Sequence, residues 1–115
     1  MEKVFIYGTL RPGFKNHHKL REARVIERKK RVAGYKMFNC GDYPIVQPSS
    51  QGFSTVEGDI ISIPESRLEE LDRFEGVPEG EFQRIRDKTH GFWIYVSGPN
   101  PPRTLNPMES GVWVE

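Results

Sequence analysis

The apolar residues of this chain come in short bursts that end at glycine or proline, with one stretch of a different period. Val4-Phe5-Ile6-Tyr7 is a run of β-favouring residues that stops at Gly8, followed by Thr9-Leu10-Arg11-Pro12-Gly13. This reads as a buried strand feeding a tight loop. Strand-like pieces follow at 23–26 and 32–38, and the basic run Arg28-Lys29-Lys30-Arg31 between them reads as a solvated hairpin end. Residues 43–46 form a short extended piece and 48–52 a loop. Residues 54–63 alternate as a strand should. Residues 82–88 and 92–97, separated by Thr89-His90-Gly91, read as a hairpin.

The stretch with helical period lies at 64–77. Ser66 and Glu69 have the spacing of a capping box, and Gly76 stands where a helix wants a left-handed residue just past its end. At about 100° per residue, Leu68, Leu71 and Glu75 share one face, with Glu75 about 20° from Leu68. Glu69, Glu70 and Arg73 point to water. A carboxylate on the packed face, at the negative end of the helix dipole, is expected to hold its proton more tightly than usual. That is the direction a general base requires. Residues 16–23 predict a second, short helix. The predicted architecture is α+β: a small mixed β-barrel or strongly curved sheet, with one firm helix and one short helix beside a pocket.

Composition narrows the field. A chain of 115 residues makes one domain, spanning residues 1–115, able to bury about two thirds of its unfolded surface. The formal charge of +1 argues against a nucleic-acid binder, and no aromatics interleave the basic run. The single cysteine, Cys40, excludes an internal disulfide and fits a reducing, cytoplasmic setting. Nothing near Cys40 would activate it as a nucleophile. His17 and His18 are adjacent and lack companions for a metal site, so no metal and no cofactor are expected. No apolar run approaches a membrane span, and no signal-peptide pattern opens the sequence. The proline-rich tail from Pro99 onward is expected to be irregular, with 112–114 as an edge strand anchored by Trp113. It would fold over the pocket or cover a sheet edge.

The loop after the first strand carries candidate chemistry. Successive backbone N–H groups at such a turn can hold an anion or a developing oxyanion without a charged side chain. The string Tyr7-Gly8-Thr9-Leu10-Arg11-Pro12-Gly13 resembles the signature of the γ-glutamylcyclotransferase-like family. Leu71-Asp72-Arg73-Phe74-Glu75-Gly76 resembles the helix end that carries that family's catalytic glutamate. Gly34-Tyr35, the Tyr43-Pro44 turn, Val56-Glu57-Gly58-Asp59-Ile60 and Arg84 also match, in the right order, so the resemblance covers residues from about 3 to 97. One departure stands out: Phe82 occupies the position where many relatives carry a tyrosine just before the arginine. Thr9, rather than serine, resembles the small members that act on γ-glutamyl amines.

The resemblance implies a cofactor-independent reaction. The substrate's own α-amino group attacks its γ-carbonyl, closing a lactam and releasing 5-oxoproline and an amine. Glu75 would be the proton carrier. Tyr7, Gly8, Thr9 and Leu10 would hold the substrate, with Arg11 a reserve for its carboxylate and Tyr43 lining the pocket. The implied partner is a small γ-glutamyl compound, with no nucleic acid and no membrane, and the protein a monomer or weak homodimer. Two other readings remain open. One is a non-catalytic small-molecule binding protein that keeps the pocket. The other is an interaction protein pairing through the edge strand of its tail.

Overall fold

A computed structural model describes residues 1–50 and 54–115. Its strands are β1 (Glu2–Ile6), β2 (Arg24–Ala33), β3 (Tyr35–Asn39), β4 (Pro44–Pro48), β5 (Thr55–Ile63), β6 (Phe82–Asp87), β7 (Phe92–Ser97) and β8 (Asn106–Pro107). One α-helix, α1, runs from Leu68 to Phe74. Five strands form a sheet in the order β2-β5-β1-β7-β6, and three form a second sheet in the order β4-β3-β8. Neither sheet closes on itself, so of the two expected forms, a barrel or a strongly curved sheet, a closed barrel is not formed. The α+β class stands.

β1 is central, antiparallel to β5 and parallel to β7. Its continuous apolar run follows from that position, because both of its faces are covered. Phe5 and Tyr7 point to one core with Val32, Tyr35, Met37, Val56 and Trp113. Val4 and Ile6 point to the other, with Ile61, Ile63, Leu68, Leu71, Phe82 and Tyr95. Gly58, on β5, is required by that packing: a Cβ there would lie 2.4 Å from the Ile6 carbonyl oxygen and 2.6 Å from the Phe5 ring.

Several expectations need correction. The basic run is not a hairpin end; it lies inside β2, a single ten-residue strand paired with β5. The pairing slips register between Val25 and Glu27 and again between Glu27 and Lys30, and Lys29 takes φ +54°. These irregularities let an edge strand of solvated charges lose strict alternation, which is why its period was unreadable. The chain passes from β2 to β3, in the other sheet, at Gly34, which takes φ +97°. The short helix at 16–23 reduces to one 3-10 turn, His17–Lys19. The capping box does not form: Ser66 belongs to a 3-10 turn, Glu65–Arg67, and no side chain caps α1. Residues 112–114 are not a strand, since the tail pairs through β8 with β3 instead. Trp113 is nevertheless the tail's buried anchor, 7 % exposed. The tail lies along sheet edges, with the Met108 N–H donating to Met37 and the Glu57 N–H donating to Gly111. The loop expected at 48–52 falls partly outside the described residues. The β6–β7 hairpin forms as expected, turning at Gly91.

The loop after β1 is anchored from below. Arg11 is 3 % exposed and directs its guanidinium inward, Nε to Asp59 Oδ2 at 3.0 Å and Nη2 to Asp59 Oδ1 at 3.2 Å. Its Nη1 reaches Glu57 at 3.3 Å. Asp59 is wholly buried on β5 and also accepts the Lys29 N–H at 2.8 Å. Removing one member of such a pair strands the other charge in the interior. Arg11→Ala is therefore expected to lower unfolding free energy by about 3–5 kcal/mol in a urea titration. A loss below about 1 kcal/mol would refute this role.

Candidate active site

The end of β1, the helix terminus and two turns meet around a cavity of about 410 Å3, a size suited to a small molecule. Tyr7, Gly8, Thr9 and Leu10 line it from the loop, Tyr43 and Pro44 from the start of β4, Glu75 and Gly76 from the helix end, Glu81 from the loop before β6, and Phe82 and Tyr95 from β6 and β7. The structure thus brings together Glu75 and every sequence-predicted loop residue except Arg11, which lies below the loop on Asp59 and does not line the cavity.

The loop holds its shape without its first N–H groups. Arg11 N–H donates to Gly8 C=O at 3.1 Å, Phe14 N–H to Arg11 C=O at 2.9 Å and Asn16 N–H to Thr9 C=O at 2.9 Å. The Asn16 side-chain amide donates to Thr9 Oγ1 at 2.9 Å. None of these bonds draws on the N–H of Gly8, Thr9 or Leu10, so those donors stay at the cavity's disposal. Gly8 is needed for the close approach of the turn, since a Cβ there would meet the Pro44 ring at 3.0 Å. Tyr7 is buried, and its hydroxyl donates to the Tyr95 carbonyl at 2.7 Å. Burial, with Glu75 as the next cause, pushes its pKa well up.

Glu75 is the last residue of the helix end, and its backbone is locked. Gly76 takes φ +73°, its N–H donating to Arg73 C=O at 3.2 Å, and Val77 N–H donates to Asp72 C=O at 3.0 Å. These two bonds are the pair that closes a helix on a left-handed residue. Asp72 ties the same turn to the large sheet. It accepts from Arg84 Nε at 2.8 Å and Nη2 at 3.2 Å, and from the Tyr95 hydroxyl at 2.6 Å. Arg84 in turn lies over the Trp93 ring at 4.4 Å. The Glu75 carboxyl keeps an opening to the cavity, yet protein atoms surround it closely. Burial is the largest cause of its raised proton affinity, followed by the charges of Glu81 and Asp72, and together they push it to about 8. The expected direction of the shift is realised, and Leu68 and Leu71 are buried on the same helix face.

Two features were not singled out from sequence. Tyr95 and Glu81 both line the cavity, and Glu81 accepts a hydrogen bond from the Tyr43 hydroxyl. Neither stands in a recognisable spacing, because Tyr95 is placed by the pairing of β7 and Glu81 by the loop that enters β6, bonded to Gly76 and Gly98. Cys40 is pushed up to about 11 by burial and by Glu81, which opposes any nucleophilic use. Among the described residues no group of His, Cys, Asp and Glu could hold a metal ion. None of the described helices is long and apolar enough to cross a membrane.

This geometry can be set beside known proteins. The family described as "Gamma-glutamyl cyclotransferase, AIG2-like" matches residues 4–115. The chain belongs to the γ-glutamylcyclotransferase family. The family protein YtfP of Escherichia coli strain K12 is 30% identical over 115 residues, covering 98% of this chain and 96% of that protein. The γ-L-glutamyl-butirosin B γ-glutamyl cyclotransferase of Niallia circulans is 32% identical over 107 residues, covering 84% and 67% respectively. Among solved structures, an AIG2-like protein from Mus musculus superposes with a TM-score of 0.75 at 24% identity, covering 99% of this chain and 88% of that one. That likeness is one of fold. The protein is an enzyme of the γ-glutamylcyclotransferase type, and enzymes of this family act on small γ-glutamyl substrates.

The Glu75 proton also bears on stability. The folded chain keeps it up to about pH 8, whereas the unfolded chain loses it near the ordinary value of 4.5. The native state therefore binds the extra proton between these values, and its stability falls as pH rises across them. Glu75→Gln cannot ionise. Its stability relative to the parent is expected to climb over that interval, by about 1–4 kcal/mol at pH 9. Thermal unfolding of both proteins from pH 5 to 9 checks this, and a constant difference would contradict it.

Proposed function

We propose that this cyclotransferase converts a γ-glutamyl amine or amide to 5-oxoproline and a free amine, with Glu75 as the proton carrier. The observation that carries the reading is the Glu75 carboxyl, raised to about 8, in one cavity with Gly8, Thr9 and Leu10, whose N–H groups donate to no backbone carbonyl among the described residues. The substrate enters with its α-amino group as an ammonium, whose ordinary pKa is about 8. Ionised Glu75 takes one proton from it, a transfer between groups of nearly equal affinity. The freed amine attacks the γ-carbonyl carbon, a C–N bond forms, and the carbonyl oxygen becomes an oxyanion facing the loop N–H donors. Collapse breaks the bond to the leaving nitrogen, which takes its proton from Glu75 in the acid form. Across the turnover the α-nitrogen loses two protons and the leaving nitrogen gains two, so Glu75 ends as it began.

The substrate brings its own nucleophile, so no activated side-chain nucleophile is needed. What the pocket contributes is a folded substrate conformation and a charge-complementary rim. Tyr43 and Tyr7 shape its walls. Arg11 acts beneath the site by holding the loop, not by meeting the substrate carboxylate.

Incubation with γ-glutamyl amino acids, glutathione and γ-glutamyl-ε-lysine, with 5-oxoproline read by mass spectrometry, tests the reading. Product is expected from the parent, with kcat/KM rising with pH as Glu75 ionises to a maximum near about 8 and falling above it as the free substrate loses its ammonium. Glu75→Gln is expected to lose activity by a factor of about 10²–10⁴. Turnover retained in that variant would remove Glu75 from the mechanism. Binding without product across the panel would favour a pocket that has kept recognition and lost catalysis.

A further inference from the structure

A second carboxylate stands beside Glu75. The chain turns back after the helix so that Glu81 N–H donates to Gly76 C=O at 3.2 Å, and Gly98 N–H donates to Glu81 C=O at 3.0 Å. The Glu81 side chain lies against Gly76: a Cβ on that glycine would sit 3.3 Å from Glu81 Oε2. Its other oxygen, Oε1, accepts from the Tyr43 hydroxyl. Tyr43 is itself held by the turn into β4, its ring 6.0 Å from that of Phe82. Glu81 is thus fixed at one oxygen, with the second beside the helix end, in the cavity that Glu75 also lines.

Among the described residues, neither Glu75 nor Glu81 forms an ion pair. Arg84 is engaged by Asp72, Arg73 by Glu69 at 3.3 Å, and the Lys15 ammonium by the Asp42 carbonyl at 3.1 Å. The groups facing Glu75 are Asp72 from its own helix, Tyr7 from the end of β1, Tyr43 from the turn before β4, Glu81 from the loop before β6 and Tyr95 from β7. These are acids or phenols; the two cations that also line the cavity, Lys15 and Arg73, are directed to the Asp42 carbonyl and to Glu69 instead. A partly desolvated carboxylate pair without a protein cation is costly unless a ligand brings the positive charge.

We propose that the Glu81 carboxylate, held by Tyr43, is the counter-ion that receives the α-ammonium of the γ-glutamyl substrate, leaving Glu75 to exchange its proton. The assignment rests on the cyclotransferase reading above and adds a specificity-determining residue to it. One carboxylate cannot serve both ends of the reaction equally well. Once the amine has attacked, its nitrogen carries a positive charge again while Glu75 still holds the first proton, and at that stage Glu75 offers it no counter-charge. A second carboxylate that keeps its place through the Tyr43 bond holds the nitrogen throughout. It also sets the preference for substrates with a free α-ammonium over those lacking one.

Binding measurements separate this assignment from the identity of the base. The probes are a pair of inert ligands in which CH2–O replaces the γ-amide, one with the α-ammonium and one without. Neither can be cyclised, so calorimetry reads binding whatever the role of Glu75. Parent protein is expected to favour the ammonium ligand, and Glu81→Gln to lose at least about tenfold of that preference while binding the other ligand within about threefold. In turnover, Glu81→Gln is expected to raise KM about 10–100-fold with kcat above pH 8 within about threefold. The acid limb of its pH profile should move to lower pH, because a negative charge facing Glu75 is gone. Tyr43→Phe keeps the carboxylate but frees it, and should show a smaller loss in the same preference. Equal loss for both ligands, or an unchanged preference in folded Glu81→Gln, would overturn the assignment. A kcat collapse with KM unchanged would make Glu81 a proton carrier and overturn it too.

Discussion

The buried pair of Arg11 and Asp59 is the constraint on which the site rests. A loop meant to offer backbone N–H groups to a ligand cannot spend those same groups on holding itself together. Here the fastening is delegated to a side chain that leaves the loop and passes under it to the central sheet. Asp59 is paired through β5 with Ile6, the last residue of β1, so the anchor point and the loop's origin share one rigid ladder. The same carboxylate accepts the Lys29 N–H, where β2 slips its register, and thereby ties the irregular edge strand into the sheet. An ion pair this buried adds little net stability compared with apolar packing, but it is intolerant of losing either partner. What it contributes is a single loop geometry.

A parallel device fixes the other side of the cavity. Asp72 binds Arg84 and Tyr95 from two neighbouring strands, and the left-handed Gly76 closes the helix a residue beyond Glu75. Between these fixed points the Glu75 backbone has no freedom to carry its side chain out to water. A glutamate at an exposed helix end would extend and solvate itself, and its proton affinity would stay ordinary. The raised affinity of Glu75 comes first from burial, and the Asp72 tie helps to keep the helix end in place. It also explains why a helix of seven residues, with no side-chain cap at its start, holds its place: packing and the Asp72 ties hold it where intrinsic propensity would not.

What was legible in the sequence was whatever local period or chirality dictates. Glu75 could be placed on the packed face because Leu68 and Leu71 set the phase, and Gly76 marked the helix end. The apolar run of β1 announced a strand covered on both sides, and Gly91 announced the β6–β7 hairpin. Reading failed where partners distant in sequence decide the outcome. Arg11 looked like a substrate ligand because its partner, Asp59, belongs to a strand that only the fold brings beneath it. The basic run looked like a turn because charges on an edge strand lack the alternation that burial would impose. Ser66 and Glu69 had the capping spacing, but the chain enters the helix through a 3-10 turn that puts them out of phase. The choice between a closed barrel and an open sheet was hidden for the same reason: closure depends on how β2 and β6 end the sheet, and no residue pattern records it.

The missing hydroxyl at Phe82 takes on a different meaning in this setting. Phe82 is 5 % exposed and belongs to the core packed under the helix, so its ring serves the fold first. The polar groups nearest to it come from its neighbours: Glu81, one residue earlier, and Tyr43, whose hydroxyl meets that carboxylate. A reaction in which the substrate carries its own nucleophile asks the protein for few groups, but it asks that they be unable to drift. A 115-residue chain can meet that demand because Tyr7, Tyr43, Glu81 and Tyr95 at the cavity are each tied by a hydrogen bond within the fold. Function here depends less on the number of reactive residues than on the absence of slack around them.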